Sequence, residues 1–339
     1  MQTFATSKQE LFPDAAARKI FGLIKRELAL VEQEFERQAS SNIQVINYLG
    51  DYLRVSGGKR VRPALLILAN QAVGGRAESE DVIRLATVME VLHTATLVHD
   101  DIIDNADIRR NRPSVNARFG NHAAVLMGDW LYMSAFETSL RERSLAVLDV
   151  LTNLTRKMTE GELIQLTLIG NADITEEEYF DVIRRKTAYL FAGCCEIGAL
   201  LAGAAPAEVA AMRDYGLNLG IAFQIADDLL DHTADRTALG KATGADLLEG
   251  KITLPLILLM QKSPGIRSTL ERIMLDGVFD EAAQARMRND LETHQIIEKT
   301  RGVASSFAAA ARKSLEVLPE TEYRVALDGI PGYVIDRDK

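Results

Sequence analysis

The chain has 339 residues, 47% apolar and 26% charged, which is the profile of a globular protein with a sizeable core. Its formal net charge of −9 argues against nucleic acid or an anionic membrane surface as the main partner, although local basic clusters still leave room for an anionic substrate. The longest obvious apolar run, Leu254–Met260, is too short to span a membrane, and MQTFATSKQELFPDAAARK lacks the apolar centre of a signal peptide, so the expected location is cytoplasmic.

Apolar residues recur at spacings of three and four rather than two, which predicts an all-α chain. Repeats of fixed period, low-complexity tracts and Ser/Gly-rich linkers are missing, so one domain over 1–339 is expected. Residues 14–38 and 41–55 read as amphipathic helices. Next comes Ser56-Gly57-Gly58-Lys59-Arg60-Val61-Arg62-Pro63, leading into an apolar helix over 63–73. Its glycines let a backbone approach an anion, and the helix N-terminus adds partial positive charge to that of the side chains. A solvated basic loop fits the same run.

Residues 80–104 form a helix that is apolar nearly all round, which belongs at the centre of a bundle. It ends in His93–Arg110, HTATLVHDDIIDNADIRR. Asp100 and Asp104, four apart, share a face, where like charges repel unless a cation intervenes. Hard oxygen donors of this kind suit Mg²⁺, whereas a single such motif also fits a solvated acidic face. His93, seven residues before Asp100, lies on roughly the same side, either as a hydrogen-bonded core residue or in contact with a ligand. Arg109, Arg110 and Arg112 precede Pro113, and guanidinium forks suit diphosphate oxygens, with a solvated loop as the other reading.

The eight prolines are expected at element boundaries, with Pro63, Pro206 and Pro255 in first turns, and 114–205 has none. Thr175 to Glu178 forms a capping box, with Ile174 and Tyr179 placed as a hydrophobic staple. Gly170, Gly216, Gly240 and Gly250 are read as punctuation. Cys194 and Cys195, about 100° apart on a helix, read as buried thiols rather than a disulfide or a metal pair. A second acidic run places Gln224, Asp227, Asp228 and Asp231 at offsets 0, 3, 4 and 7, one helical stripe. Both acidic runs have apolar neighbours, where unpaired carboxylates are costly to bury. Two helices facing each other would hold divalent cations between them, and Mg²⁺ prefers to share its shell with substrate phosphates. The implied ligand is a diphosphate. Residues 265–320 are helical by pattern and carry no legible chemistry.

Taken together, GGKRVRP, HTATLVHDDIIDNADIRR, GDWLY, KTAYLF, FQIADDLLD and LGKATGADLLEGKITLP resemble the trans-type isoprenyl diphosphate synthases, the polyprenyl synthase family. The chain is most similar to the bacterial octaprenyl type, from INYLGDYL (46–53) to Asp336-Arg337-Asp338-Lys339. The resemblance implies a single large helical bundle around a central cavity, the type I isoprenoid synthase fold. It implies a Mg²⁺-dependent prenyltransferase that condenses isopentenyl diphosphate with an allylic diphosphate, geranyl or farnesyl, in 1′-4 fashion. It also implies a homodimer, with transient membrane contact where the product leaves.

By the same resemblance, Asp100 and Asp104 share two Mg²⁺ ions and Asp227 holds a third. Asp228 and Asp231 help through water, and Asp101, off the main face, is supporting. Arg109, Lys186, Lys241 and Lys251 would meet the allylic diphosphate. Lys59, Arg60, His93 and Arg110 would meet isopentenyl diphosphate. Thr187 and Gln224 would lie beside the reacting carbons, with the departing diphosphate as proton acceptor.

Ala95 and Thr96, small where shorter-chain members carry an aromatic, leave the path open, with Leu92 a turn further down. The expected tunnel floor is Leu126, Met127, Trp130 and Met133, although Met127 and Trp130 equally fit ordinary core. A product of about eight isoprene units follows from the analogy, with seven to ten the range, for a quinone side chain. An Ala95→Phe variant is expected to make shorter chains. Rival readings are a shorter-chain synthase, a class I terpene cyclase, whose second motif is usually of another type than DDLLD, and a non-catalytic subunit, which usually loses aspartates that are all present here.

Overall fold

A computed structural model describes residues 15–55, 58–110, 112–233 and 244–335. Helices are numbered below over those residues. The first five are α1 (Ala15–Gly22), α2 (Lys25–Gln38), α3 (Gln44–Val55), α4 (Val61–Ala72) and α5 (Glu80–Ile103). A two-residue hairpin, β1 (Ile108–Arg109) with β2 (Arg112–Pro113), leads to α6 (Val115–Phe119), α7 (Asn121–Leu140) and α8 (Leu145–Leu168). Then come α9 (Glu176–Ile183), a π turn over Arg184–Ala188, α10 (Tyr189–Leu201) and α11 (Pro206–Thr233). The chain continues through α12 (Ala245–Leu248), α13 (Leu254–Lys262), α14 (Arg267–Asp276), α15 (Glu281–Thr293), α16 (Ile296–Ser314) and α17 (Glu322–Ile335).

The periodicity that predicts an all-α chain is matched, apart from the small hairpin after α5. At the centre lies α5, with Leu85, Val88, Met89, Val91 and Ala95 fully buried. It is long and apolar enough to cross a membrane by length and composition, but 67% of its most apolar window is packed inside the protein, as expected of a core helix. Against it sits α4, where every residue from Pro63 to Asn70 is buried. On the other side of the molecule α11 joins two apolar clusters, giving Leu219 and Ala226 to one and Ile221 and Ile225 to the other. The stretch 265–320 serves the second cluster up to Ala304 and the first with Ala311, Leu315 and Leu318, and α16 packs along α11 with Ile296, Thr300 and Ala304 turned inward.

Local signals behave as their chemistry dictates in most places. The Thr175–Glu178 capping box closes in both directions, and Pro206 and Pro255 stand in the first turns of α11 and α13. Cys194 and Cys195 are buried free thiols. Three readings need correction. The helix expected over 14–38 breaks at Leu23-Ile24, where Ile24 leaves helical geometry and turns fully into the core. Pro331 sits inside α17 rather than at a boundary. Gly216 lies within α11 rather than between elements. It is there because α10 passes so close that a Cβ on Gly216 would lie 2.5 Å from the Phe191 carbonyl oxygen, and one on Gly220 would lie 2.6 Å from the Ala188 Cα in the π turn. Gly170 and Gly250 do break helices, both at positive φ, whereas Gly240 lies outside the described residues.

Candidate active site

One large cavity of about 1170 Å³ opens between α5, α7, α8, the π turn and α11. Asp100 lines it from α5, and Asp227 and Asp228 line it from α11, so the two acidic runs face each other across one space. Lys186 and Thr187 both enter from the π turn. In a regular helix consecutive side chains diverge by about 100°, and the wider π turn lets both reach the same cavity. Gly161 on α8 makes room for that turn: a Cβ there would lie 2.7 Å from the Arg185 Cβ. Opposite the turn, Lys186 Nζ meets Glu162 Oε1 at 2.9 Å and also donates to Gln165.

A chain of hydrogen bonds fixes the α11 wall. Thr187 Oγ1 donates to Gln224 Oε1 at 2.7 Å, and Gln224 Nε2 donates to Asp228 Oδ1 at 2.8 Å. The Asp228 Oδ2 accepts from Tyr179 at 2.6 Å. With its proton given to Gln224, Thr187 keeps only oxygen lone pairs for the cavity.

The carboxylates are held in a state that favours a cation. Burial pushes Asp100 up to about 7, aided by Glu162 and Asp104 and opposed by Lys186 and Arg109. Burial likewise raises Asp228 to about 7, against the Tyr179 and Gln224 hydrogen bonds. Asp246, also in the cavity wall, is pushed well above the carboxylate range by burial and then by Asp228 and Asp231. Divalent charge relieves desolvated, mutually repelling carboxylates of this kind. Among the described residues, no three His, Cys, Asp or Glu side chains converge closely enough to hold an ion alone. Oxygen donors spread over two walls, with no protein cage, fit Mg²⁺ that completes its shell with substrate oxygens and water.

Other expected residues are placed differently. Asp104 lies outside the cavity lining, with its Oδ1 2.9 Å from Lys251 Nζ, and Lys251, which does line the cavity, also holds Glu249 at 2.7 Å. Asp101 is buried and accepts from Arg109 Nε at 2.7 Å, so it orients Arg109 from beneath rather than facing the cavity. Asp231 accepts from the Ala245 amide at 3.1 Å and sits outside the lining. Arg110, at φ +51, lays its guanidinium over Gly58, where a Cβ would meet it at 2.9 Å, which joins the basic turn to the hairpin. Lys59 is exposed on that turn. Lys241 lies outside the described residues.

The basic turn yields the clearest correction. Arg60 points away from the cavity and is bound to Glu32 and Glu90, whereas Arg62 lines the cavity together with His93. Arg62 Nε is buried with no hydrogen-bond partner among the described residues, and its guanidinium stacks 5.2 Å from the Phe191 ring. The sequence reading passed over Arg62, although its place in the first turn of α4 would have aimed it along the helix axis towards an anion. Asp246, Glu162 and Tyr179 were also missed, because none belongs to a repeated acidic pattern.

The apolar end of the cavity differs from the expected tunnel too. Ala95, Leu92 and Met127 are packed core, Trp130 packs against that core, and Leu126 is 68% exposed. Of the expected floor only Met133 lines the cavity, joined by Thr96, Leu97, Phe136 and Met158. Thr152, Thr155 and Thr159 on α8 complete the wall, and each gives its hydroxyl to a carbonyl of its own helix, at 2.8, 2.8 and 3.1 Å. With these hydroxyl protons turned back onto the helix, the wall offers no free donor from its threonines and is less polar than its sequence.

The architecture matches known proteins closely. A family model described as "Polyprenyl synthetase" matches residues 43–290. The chain is 39% identical over 321 residues to the octaprenyl diphosphate synthase of Escherichia coli K12, covering 95% of this chain and 99% of that protein. A polyprenyl synthase from Caulobacter crescentus, solved with calcium and isoprenyl diphosphate, superposes with a TM-score of 0.89 at 33% identity, covering 95% of this chain and 98% of that one. A decaprenyl diphosphate synthase from Rhodobacter capsulatus gives 0.88 at 34% identity, over 95% and 99% of the two chains.

Proposed function

The chain belongs to the polyprenyl synthetase family, and we propose that it is a long-chain trans-polyprenyl diphosphate synthase whose product is octaprenyl diphosphate, of about eight isoprene units. The observation that carries this reading is one cavity with Asp100 and Asp227 on opposite walls and an apolar end lined by Leu97, Met133, Phe136 and Met158. Mg²⁺ bound there would neutralise the charge that develops on a departing diphosphate. Asp100 and Asp227 would hold it, with Asp104 joining once Lys251 gives up its oxygen.

The chain's own groups account for the rest. Lys186, Lys251 and Arg109 supply positive charge to the allylic diphosphate, and Arg62, Arg110 and Lys59 to isopentenyl diphosphate, with His93 as a neutral hydrogen-bond donor. The Thr187 lone pairs and the anchored Gln224 carbonyl face the carbon that becomes cationic when the allylic bond breaks. The alkene of isopentenyl diphosphate attacks that carbon, and the proton lost afterwards goes to the released diphosphate. The apolar end keeps water from the cation and accepts the growing chain.

The exposed Leu126, Met133, Leu140, Leu145 and Leu163 on α7 and α8 support a homodimer that covers this face. A cytoplasmic protein that touches the membrane only as a long product leaves fits the same picture. Incubation of the purified chain with farnesyl diphosphate, labelled isopentenyl diphosphate and Mg²⁺ tests the reading. Linear C35–C50 products are expected. A cyclic hydrocarbon, or no product without a partner protein, contradicts it.

A further inference from the structure

Arg60 occupies an unusual place for a residue of a basic substrate-binding turn. Its backbone lies at φ +49, a left-handed conformation that disfavours any residue with a Cβ. As the N-cap of α4 it nonetheless opens the helix, its carbonyl accepting from the Ala64 amide at 3.1 Å. The side chain explains how the turn is kept. Nε and Nη2 hold Glu32 of α2 at 2.5 and 3.0 Å, and Nη1 holds Glu90 of α5 at 2.8 Å. Its plane rests 5.1 Å from the buried Phe35 ring. With one fork closed on Glu32 and another donor on Glu90, it keeps no bidentate edge for a diphosphate.

Glu90 is the other half of the arrangement. Its side chain is 3% exposed, and its charge acts on Arg62 and Arg110 as well as on Arg60. A carboxylate buried among three guanidinium groups will pair with whichever is nearest, and Arg60 is the one that pairs with it here. We propose that Arg60 is a positioning residue rather than a diphosphate ligand. Clamped between Glu32 and Glu90, it fixes the turn from which Arg62 enters the cavity and keeps Glu90 from drawing Arg62 and Arg110 away from the substrate. The inference rests on the synthase reading, since it concerns the isopentenyl diphosphate subsite of that reaction.

Steady-state kinetics with both substrates varied separate the two roles. Arg60→Met leaves Glu90 to recapture its neighbours, so KM for isopentenyl diphosphate should rise about tenfold, with kcat and the allylic KM within about twofold. Adding Glu90→Gln to that variant should bring KM back to within about threefold of the parent, because no carboxylate is then left to compete with the diphosphate for Arg62 and Arg110. A double variant no better than the single one shows that Arg60 contacts the substrate itself and overturns the proposal. An unchanged KM in Arg60→Met overturns it too. Glu32→Gln, which loosens the clamp from its half-exposed side without stranding a buried charge, should raise the same KM about two- to fivefold, and no change there counts against the clamp. Turnover by the parent enzyme tests the synthase reading separately.

Discussion

Tyr179 gives its hydroxyl proton to Asp228 at 2.6 Å, and both groups are buried. Through its other oxygen Asp228 accepts from Gln224, which in turn accepts from Thr187, so it anchors the two side chains assigned above to the reacting carbons. Tyr179→Phe leaves a buried carboxylate oxygen without its donor and should lower stability by about 1–3 kcal/mol in chemical denaturation. It should also reduce kcat about tenfold as Gln224 loses its fixed direction. Full activity in this variant would show that Gln224 orientation is irrelevant to turnover.

Product length should respond to the wall the structure presents. Thr96 and Thr155 line the cavity, whereas Ala95 is packed against core with no exposed surface. Thr96→Phe or Thr155→Phe should shorten the product by several isoprene units, read by mass spectrometry. Thr155→Val should leave the product spectrum unchanged, because the hydroxyl it removes is turned back onto the Leu151 carbonyl. Ala95→Phe should first appear as overpacking, a loss of about 1–3 kcal/mol, rather than as clean shortening. A changed spectrum in Thr155→Val would put the hydroxyl in the tunnel.

The contrast between Ala95 and Thr96 shows what sequence can carry. Spacing put Asp100 with Asp104 on one helical face and Gln224, Asp227 and Asp228 on another, because helical phase is set by the chain itself, and the cost of burying unpaired carboxylates suggested that the two faces meet. It could not say which of two adjacent small residues faces the cavity, since that depends on how α5 is rotated against α7 and α8. The same limit applies at Arg60 and Arg62. Both are basic, and only the left-handed turn and the carboxylates of two distant helices turn one away and the other in. Lys186 beside Thr187 was read by resemblance, while the π turn that lets both reach the cavity has no periodic signature. Asp231 keeps perfect phase with Asp227, but it is drawn to the Ala245 amide, a contact fixed by the chain beyond α11.

His93 should stay neutral through mildly acidic pH. Burial, and then Arg62, Arg110, Arg109 and Arg60, hold its pKa well below 6.5. The sign follows from proton uptake: below about pH 6.5 the unfolded chain binds a proton that the folded one refuses, so this residue makes stability fall as pH drops, by up to about 1.4 kcal/mol per pH unit until the folded pKa is reached. The parent should therefore lose more stability than a His93→Asn variant between pH 7.5 and 5.5. Equal losses would mean that the folded imidazole takes up its proton over the same pH range as the unfolded one, so that burial does not hold it neutral.

The most direct measurement is Mg²⁺-dependent incorporation of labelled isopentenyl diphosphate by the parent, by Asp100→Ala, by Asp227→Ala and by the double variant. The account predicts that each single change lowers kcat about 10²–10³-fold and that the double variant is inactive, with Mn²⁺ binding in the presence of diphosphate weakened in step. A double variant that elongates chains at the parent rate, or binds Mn²⁺ and diphosphate as tightly, would contradict it.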